Sequence, residues 1–421
     1  MAGDSTVAVR MYNVGFGDAF LVTVRRDNTT WRMLVDCGVH SQGQARPIRE
    51  AVRAIIGDLR AESTDGTAHL DVIVATHHHA DHISGFALPD WEEVVVEEVW
   101  LPFVEDESDP DAVALRRAQS DTAQRLLWLI DRRTHNLDPG DWPMAVVAAQ
   151  WFALNSFGNA DATDRLVGRN GQHFASKHRV RYLPSLIDEE NEITVGIDDV
   201  AVHVLGPSRD PDDLKDMDPP KSAGWLELNL QVSLDDDTGT TLFPLFNSAY
   251  VVDDDSNVPE ALRKAQEALN LQNVTNDAGL LSAASILERA VNNTSLFFVL
   301  DVAGTRLLFP GDAQHGAWEH VLNDPRKKAF LVDAAFYKIG HHGSHNATPK
   351  RFVEEIWHDG AYAMLPWGLV KRWQDTIPKK ELLEALHTHQ HTVIRADAPQ
   401  AEPNRVAVHD DLWSEVVFTT S

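Results

Sequence analysis

At 421 residues, 43% of them hydrophobic and 24% charged, the chain has the balance of a soluble globular protein and enough apolar material for one large domain or two ordinary ones. The net charge of −27 argues against nonspecific coating of nucleic acid, because such a surface repels polyanions, although a metal-lined or locally basic cleft would still accept a phosphodiester. The only cysteine, Cys37, excludes an intrachain disulfide; no stretch approaches the roughly 20 apolar residues of a membrane span; and MAGDSTVAVRMYNV lacks the form of a signal peptide, so a cytoplasmic protein without a membrane partner is expected.

From residue 6 to about 100, VAVRMYNV, AFLVTVRR, WRMLVDCG and LDVIVAT read as strands, and PIREAVRAIIGDLRA reads as a helix. The order suggests one half of an α/β sandwich. The less regular middle has helical patterns at DAVALRRAQSDTAQRLLWLIDRR, PMAVVAAQWFALNS, VPEALRKAQEALNL and GLLSAASILERAV. Its acidic stretches SRDPDDLKDMDPP and SLDDDTGT read as loops, and the DDD of residues 253–255 as a solvated one. Within it, ITVGIDDVAVHVLGP at 193–207 reads as a hairpin belonging to the sandwich. From about 290 to 415 the strand style returns in SLFFVLDV, TRLLFPGD, AFYKIGHHGS, AYAMLPWG and HTVIRADAP, each closed by a turn signal. With no repeat and no low-complexity linker, the expectation is a single domain over 1–421 with insertions at about 103–185 and 208–288.

Residues 75–85 read ATHHHADHISG, directly after the apolar run LDVIVAT. His77, His79, Asp81 and His82 form H-x-H-x-D-H, and a turn at a strand end aims alternating side chains into one pocket. His77 and His79 would bind one ion, with Asp81 and His82 turned toward a second. Imidazole with carboxylate suits zinc, and manganese or iron as the oxygen share grows. The bland alternative is a solvated polar turn, which this spacing after a strand disfavours. His78 is out of register and is expected to point away.

The motif resembles that of the metallo-β-lactamase fold hydrolases, and further segments match in order. Asp36 in MLVDCG is similar to the aspartate that supports the metal loop, Asp312 in RLLFPGD to the aspartate that bridges two ions, and KIGHHGSHN to the segment carrying the late histidine. HHGS, with NVGFGDAFLV at 13–22, NNTSLFFVL and TVIRADAP, narrows the resemblance to the metallo-hydrolase domain of ComEC-type DNA-uptake proteins and their stand-alone relatives, over most of residues 6–100 and 285–400. The resemblance implies an α/β fold, the metallo-β-lactamase αββα sandwich with helical insertions. It also implies two divalent metal ions, zinc with manganese as the alternative, held by His77, His79, Asp81, His82, Asp312 and one of His341 or His342, with His341 favoured because it lies nearest the strand end. Asp81, His342 and His345 are the catalytic candidates: Asp81 would orient the attacking water, His342 would contact substrate or support the ligands, and His345 would protonate the leaving group. His345 as an ordinary polar loop residue is an equal reading. Gly340 and Gly343 would let the backbone approach closely.

Two departures stand out. Where the family carries a third-motif histidine this chain reads AVNNTSLFF, with Val291 in register and Asn292 beside it, so the ion held by His77 and His79 would have one protein ligand fewer. His203 and His173 are read as structural rather than as replacements. Where relatives have a His-Pro pair this chain has Ile377 and Pro378, and Lys371 and Arg372 are the nearby candidates for a phosphate contact. LHTHQHT at 386–392 has no carboxylate partner nearby in sequence and is read as a polar connection, and Cys37 as a small buried residue.

The leading functional expectation is phosphodiester hydrolysis, of nucleic acid or a nucleotide. A different bond (ester, thioester or lactam) fits the motif as well, and a metal-holding scaffold acting through unidentified protein partners is a third reading.

Overall fold

The computed structural model describes residues 5–41, 43–135, 137–155, 159–219, 277–370 and 376–420. The expected helix VPEALRKAQEALNL, the SLDDDTGT loop, residues 253–255, and Lys371 and Arg372 lie outside the described residues.

Two mixed sheets lie face to face. The first runs β14-β15-β1-β2-β3-β4-β5-β6, built from β1 (Ser5–Tyr12), β2 (Ala19–Arg26), β3 (Thr29–Cys37), β4 (His69–Val74), β5 (Val95–Pro102), β6 (Arg179–Leu183), β14 (Val406–His409) and β15 (Trp413–Thr420). The second runs β13-β12-β11-β10-β9-β8-β7, from β7 (Glu192–Thr194), β8 (Val200–Gly206), β9 (Phe297–Val302), β10 (Thr305–Phe309), β11 (Ala334–Lys338), β12 (Tyr362–Leu365) and β13 (Thr392–Arg395). Alternation decides which residues meet between them. Val7, Val9, Phe20, Met33 and Val72 of the first sheet pack on Phe298, Leu300, Phe309, Phe336 and Met364 of the second.

The opposite faces are covered by helices. On the first sheet, α1 (Ile48–Ala61) places Val52, Ile55 and Leu59 against Leu21, Leu34 and Ile73. On the second, Trp318 and Val321, with Leu382 and Leu386 from a later helix, cover Val299, Leu308 and Tyr337. Strands covered on both faces read as near-continuous apolar runs, which is why β1 to β3 are buried almost throughout. The expected αββα sandwich is therefore present.

The helical insertions are present too. Pro110–Thr134, Met144–Asn155 and Asp277–Asn292 pack together through Leu126, Ile130, Phe152, Leu280 and Leu287. Three features go beyond the sequence reading. β6 falls within the stretch read as the first insertion and pairs in parallel with β5, β5 itself extends the sheet, and the β14–β15 hairpin brings the end of the described chain onto β1. Among the described residues no helix is long and apolar enough to cross a membrane.

Candidate metal centre

The parallel strands of each sheet end on the same side, and their exit loops converge there. Leaving β4, Thr76–Ser84 carries the H-x-H-x-D-H segment, with a short helix, Ala80–Ile83, turning Asp81 and His82 inward. The loop leaving β3 crosses it so closely that a Cβ on Gly38 would lie 2.5 Å from both Ala80 O and His82 N. Only a glycine fits that crossing. From the second sheet come Asp312, after β10, and the Gly340–Gly343 turn after β11. In that turn His341 and His342 both adopt the left-handed region, with φ of 42° and 52°. Two successive non-glycine residues in that region are costly and mark a backbone held for its side chains.

Asp36 supports the loop from beneath. Its carboxylate accepts hydrogen bonds from Thr76 N (2.7 Å) and Thr76 Oγ1 (2.8 Å), and lies 2.8 Å from His82 Nδ1. His82 Nε2 lies 3.1 Å from Asp312 Oδ2, and His77 Nε2 3.1 Å from His79 Nδ1. Ser295 Oγ lies 3.2 Å from His77 Nδ1 and accepts from Asp312 N at 3.1 Å, tying the two sheets' loops together.

Among the described residues, two groups of three have ligand atoms within 4.8 Å of one another, namely His77, His82 and Asp312, and Asp18, His82 and His342. His82 belongs to both. Asp81 adjoins the second group, with Oδ2 3.5 Å from His342 Nε2, and its Oδ1 has no hydrogen-bond partner among the described residues. The same holds for His79 Nε2 and Asn292 Oδ1. Buried polar atoms are almost always paired, so several orphans facing one histidine–carboxylate cluster fit a centre that takes a cation.

Electrostatics agree. Burial alone would lower the pKa of His82, but the carboxylates of Asp312, Asp18 and Asp36 outweigh it and hold the imidazole well above its usual range. A nest that retains a proton there is a nest that attracts cations. Burial, reinforced by neighbouring imidazoles, pushes His77 well below its ordinary value, and burial pushes His79 down to about 4, so both are neutral donors near pH 7. Burial would raise Asp312 and Asp81. Lys338 and His82 outweigh it for Asp312, as does the hydrogen bond from His342 for Asp81, and both carboxyls stay ionised.

Of the residues picked out by sequence, the structure brings together His77, His79, Asp81, His82 and Asp312, with His342 in the ligand group. His341 turns to the rim, its Nε2 3.5 Å from Glu288 Oε1 and 3.4 Å from Asn292 Nδ2, while its backbone N–H donates to Asp312 Oδ1 at 2.9 Å. His345 is with Asp218 (3.7 Å) rather than in either group. His78 points away, to Glu105 at 2.8 Å. At the third-motif position Val291 is buried in the apolar core, and Asn292 faces His341. His203 stacks on Phe330, and His391 of LHTHQHT stacks on Trp357. Burial raises the pKa of the Cys37 thiol and keeps it protonated.

Sequence reasoning missed Asp18, Lys338 and Glu288. Asp18 had a visible signal, a carboxylate after a Gly-Phe-Gly turn and just before a strand, and Lys338 another, a lone charge at the end of the apolar run AAFY.

No family model matches the chain. Over 107 residues it is 28% identical to ComE operon protein 3 of Bacillus subtilis (strain 168), a stretch that covers 25% of this chain and 13% of that protein. Among solved structures it is similar to the metallo-beta-lactamase fold protein YhfI from Bacillus subtilis, with a TM-score of 0.36 and 8% identity over 99% of both chains. The αββα layers, with H-x-H-x-D-H in the loop after β4 and Asp312 in the loop after β10, are the arrangement expected of a metallo-β-lactamase fold.

Proposed function

We propose that the protein is a metal-dependent hydrolase that cleaves phosphodiester bonds, as a nuclease or phosphodiesterase, with two divalent ions, zinc or manganese, at this centre. The observation that carries the reading is the sharing of His82 by two buried histidine–carboxylate groups, with Asp81 Oδ1 and His79 Nε2 left unpaired beside them. Divalent ions bound there supply Lewis acidity toward a phosphoryl oxygen and lower the pKa of water.

The chain's own residues do the rest. His77 and His79 are neutral donors, already free of the protons that would compete with a cation. Asp81, ionised and with Oδ1 open, accepts a hydrogen bond from the attacking water and orients it. Asp312 is held by Lys338 Nζ and by the His341 backbone N–H, which leaves Oδ2 toward His82. His341 sits at the rim, where burial would discharge it but the Glu288 hydrogen bond and the Asp312 charge raise its pKa. Both terms favour the imidazolium form, which suits a phosphate oxygen. The choice of phosphodiester over ester, thioester or lactam rests on the ComEC-type motifs HHGS and NVGFGDAFLV.

The test is cleavage of labelled single- and double-stranded DNA and RNA with added manganese or zinc, for the wild type beside Asp312→Ala. Metal-dependent products that fall at least about a hundredfold in the variant are expected, the scale on which removal of one charge-stabilising group acts. Absence of products with every metal would sink the phosphodiester reading, and bound metal without turnover of any ester would favour a scaffold.

A further inference from the structure

Lys338 ends β11 and is 2% exposed, deep in a centre that the mechanism above assigns to cations. A buried ammonium is costly unless each of its three N–H groups meets an acceptor. Here Nζ donates to Gly311 O at 3.1 Å and to Asp312 Oδ1 at 3.0 Å, and its charge is met by an ion-pair contact with Asp18 Oδ2.

Its partners are the two carboxylates that join the candidate ligand groups from outside the H-x-H-x-D-H segment, one from each sheet's loops. Four carboxylates, Asp18, Asp36, Asp81 and Asp312, are buried within this one centre. Without compensating positive charge their mutual repulsion and desolvation would oppose folding. His82 supplies part of that compensation, with its Nδ1 3.6 Å from Asp18 Oδ2 and its Nε2 3.1 Å from Asp312 Oδ2.

We propose that Lys338 is a resident cation of the metal centre, a positioning residue that holds Asp18 and Asp312 together before any ion arrives. It contacts one oxygen of each, Asp18 Oδ2 and Asp312 Oδ1, while Asp18 Oδ1 stays unpaired among the described residues and Asp312 Oδ2 faces His82. Asp18 thereby becomes a ligand of the ion that also uses His82 and His342. The inference rests on the metal-centre reading above, but its first consequence concerns the metal-free protein. Remove the ammonium and the two carboxylates are left facing each other in a buried site, a defect that a divalent ion would repair.

The experiment is thermal unfolding of metal-stripped wild type, Lys338→Met, Asp18→Asn and the double variant, each repeated with saturating manganese and with zinc. Bound metal is counted by elemental analysis. In the metal-stripped state Lys338→Met is expected to lower Tm by roughly 3–6 °C, the scale of a broken buried pair in a chain of this size. Asp18→Asn added to it should recover at least half of that loss, and so should saturating ion. Equal losses with and without ion, or no recovery in the double variant, would overturn the proposal by making Lys338 an ordinary packing residue. If Lys338→Met does not fold alone, the same proposal requires that it fold when expressed with manganese or with Asp18→Asn, and failure of both overturns it. Should no ion raise the wild-type Tm, the metal reading itself fails. That outcome is separable, because the metal-stripped comparison of Asp18 with Lys338 uses no ion.

Discussion

His82 couples everything in the centre, because its two ring nitrogens face Asp36 and Asp312 and its ring belongs to both candidate ligand groups. The histidines at 341 and 342 divide the remaining work by direction, one toward Glu288 at the rim and the other toward Asp81 and Asp18 inside. His342→Asn should therefore weaken manganese or zinc binding at least about tenfold, on the scale of losing a coordinating or orienting partner, while His341→Asn leaves it close to wild type. Asparagine is the apt replacement because both positions need a left-handed backbone. Titration of metal into the stripped variants decides the matter, and the reverse order of effects would assign the ligand to His341. A pH dependence follows from the buried neutral imidazoles. His79 and His391 are both pushed down to about 4, chiefly by burial, from an ordinary value of 6.5. The unfolded chain thus takes their protons first, and the stability of metal-free protein is whole above pH 6.5 and lost as pH falls toward 4. Denaturant midpoints measured across that window should decline, and less steeply for His391→Asn; a flat profile would contradict the assignment. The H-x-H-x-D-H cluster and Asp312 were legible because each follows an apolar run. Asp18 and Lys338 were not singled out, because each is one charge in a strand context whose meaning depends on the other, 320 residues away.

Loops that cross without side chains between them make the strand ends a single unit. Gly38, on the loop after β3, touches the backbone of Ala80 and His82, so Gly38→Ala drives a methyl into main-chain atoms that cannot rotate aside. The expected cost is about 1–3 kcal/mol, as for other overpacked sites, with metal binding lost alongside because the same shift displaces His82. Thermal unfolding and metal titration of that variant should fall together, and normal metal affinity in a destabilised protein would show that the loops move independently. Local pattern sufficed for the strands whose burial is symmetrical. The WRMLVDCG and SLFFVLDV runs, for example, are covered on both faces and read as apolar whatever their partners. It did not suffice for β6, five residues with arginines at its first and third positions, which owes its place to pairing with β5. Nor did it suffice for β15, whose partner β1 is some 400 residues earlier, or for β14, which joins the sheet only through β15.

A net charge of −27 surrounds this carboxylate-rich centre. For a polyanionic substrate the long-range term is repulsive, and salt screens it: the Debye length shrinks from about 30 Å at 0.01 M to about 8 Å at 0.15 M. The kcat/KM on an oligonucleotide should accordingly rise with salt over that range at fixed metal concentration, opposite to the behaviour of proteins that bind nucleic acid through basic faces. A small substrate such as bis(p-nitrophenyl) phosphate should change little. Falling rates on the oligonucleotide would reveal a basic track leading to the centre.

The pairing of β1 with β15 has a consequence for synthesis. Residues 5–12 leave the ribosome first among the strands, yet one of their two neighbours in the sheet is made of residues 413–420. At about 5–20 residues per second, β1 waits on the order of a minute with one row of backbone donors and acceptors lacking its native mate. The sandwich is thus completed only when the last strand emerges, and the nascent chain spends that interval with an open strand edge of the kind that invites foreign pairing.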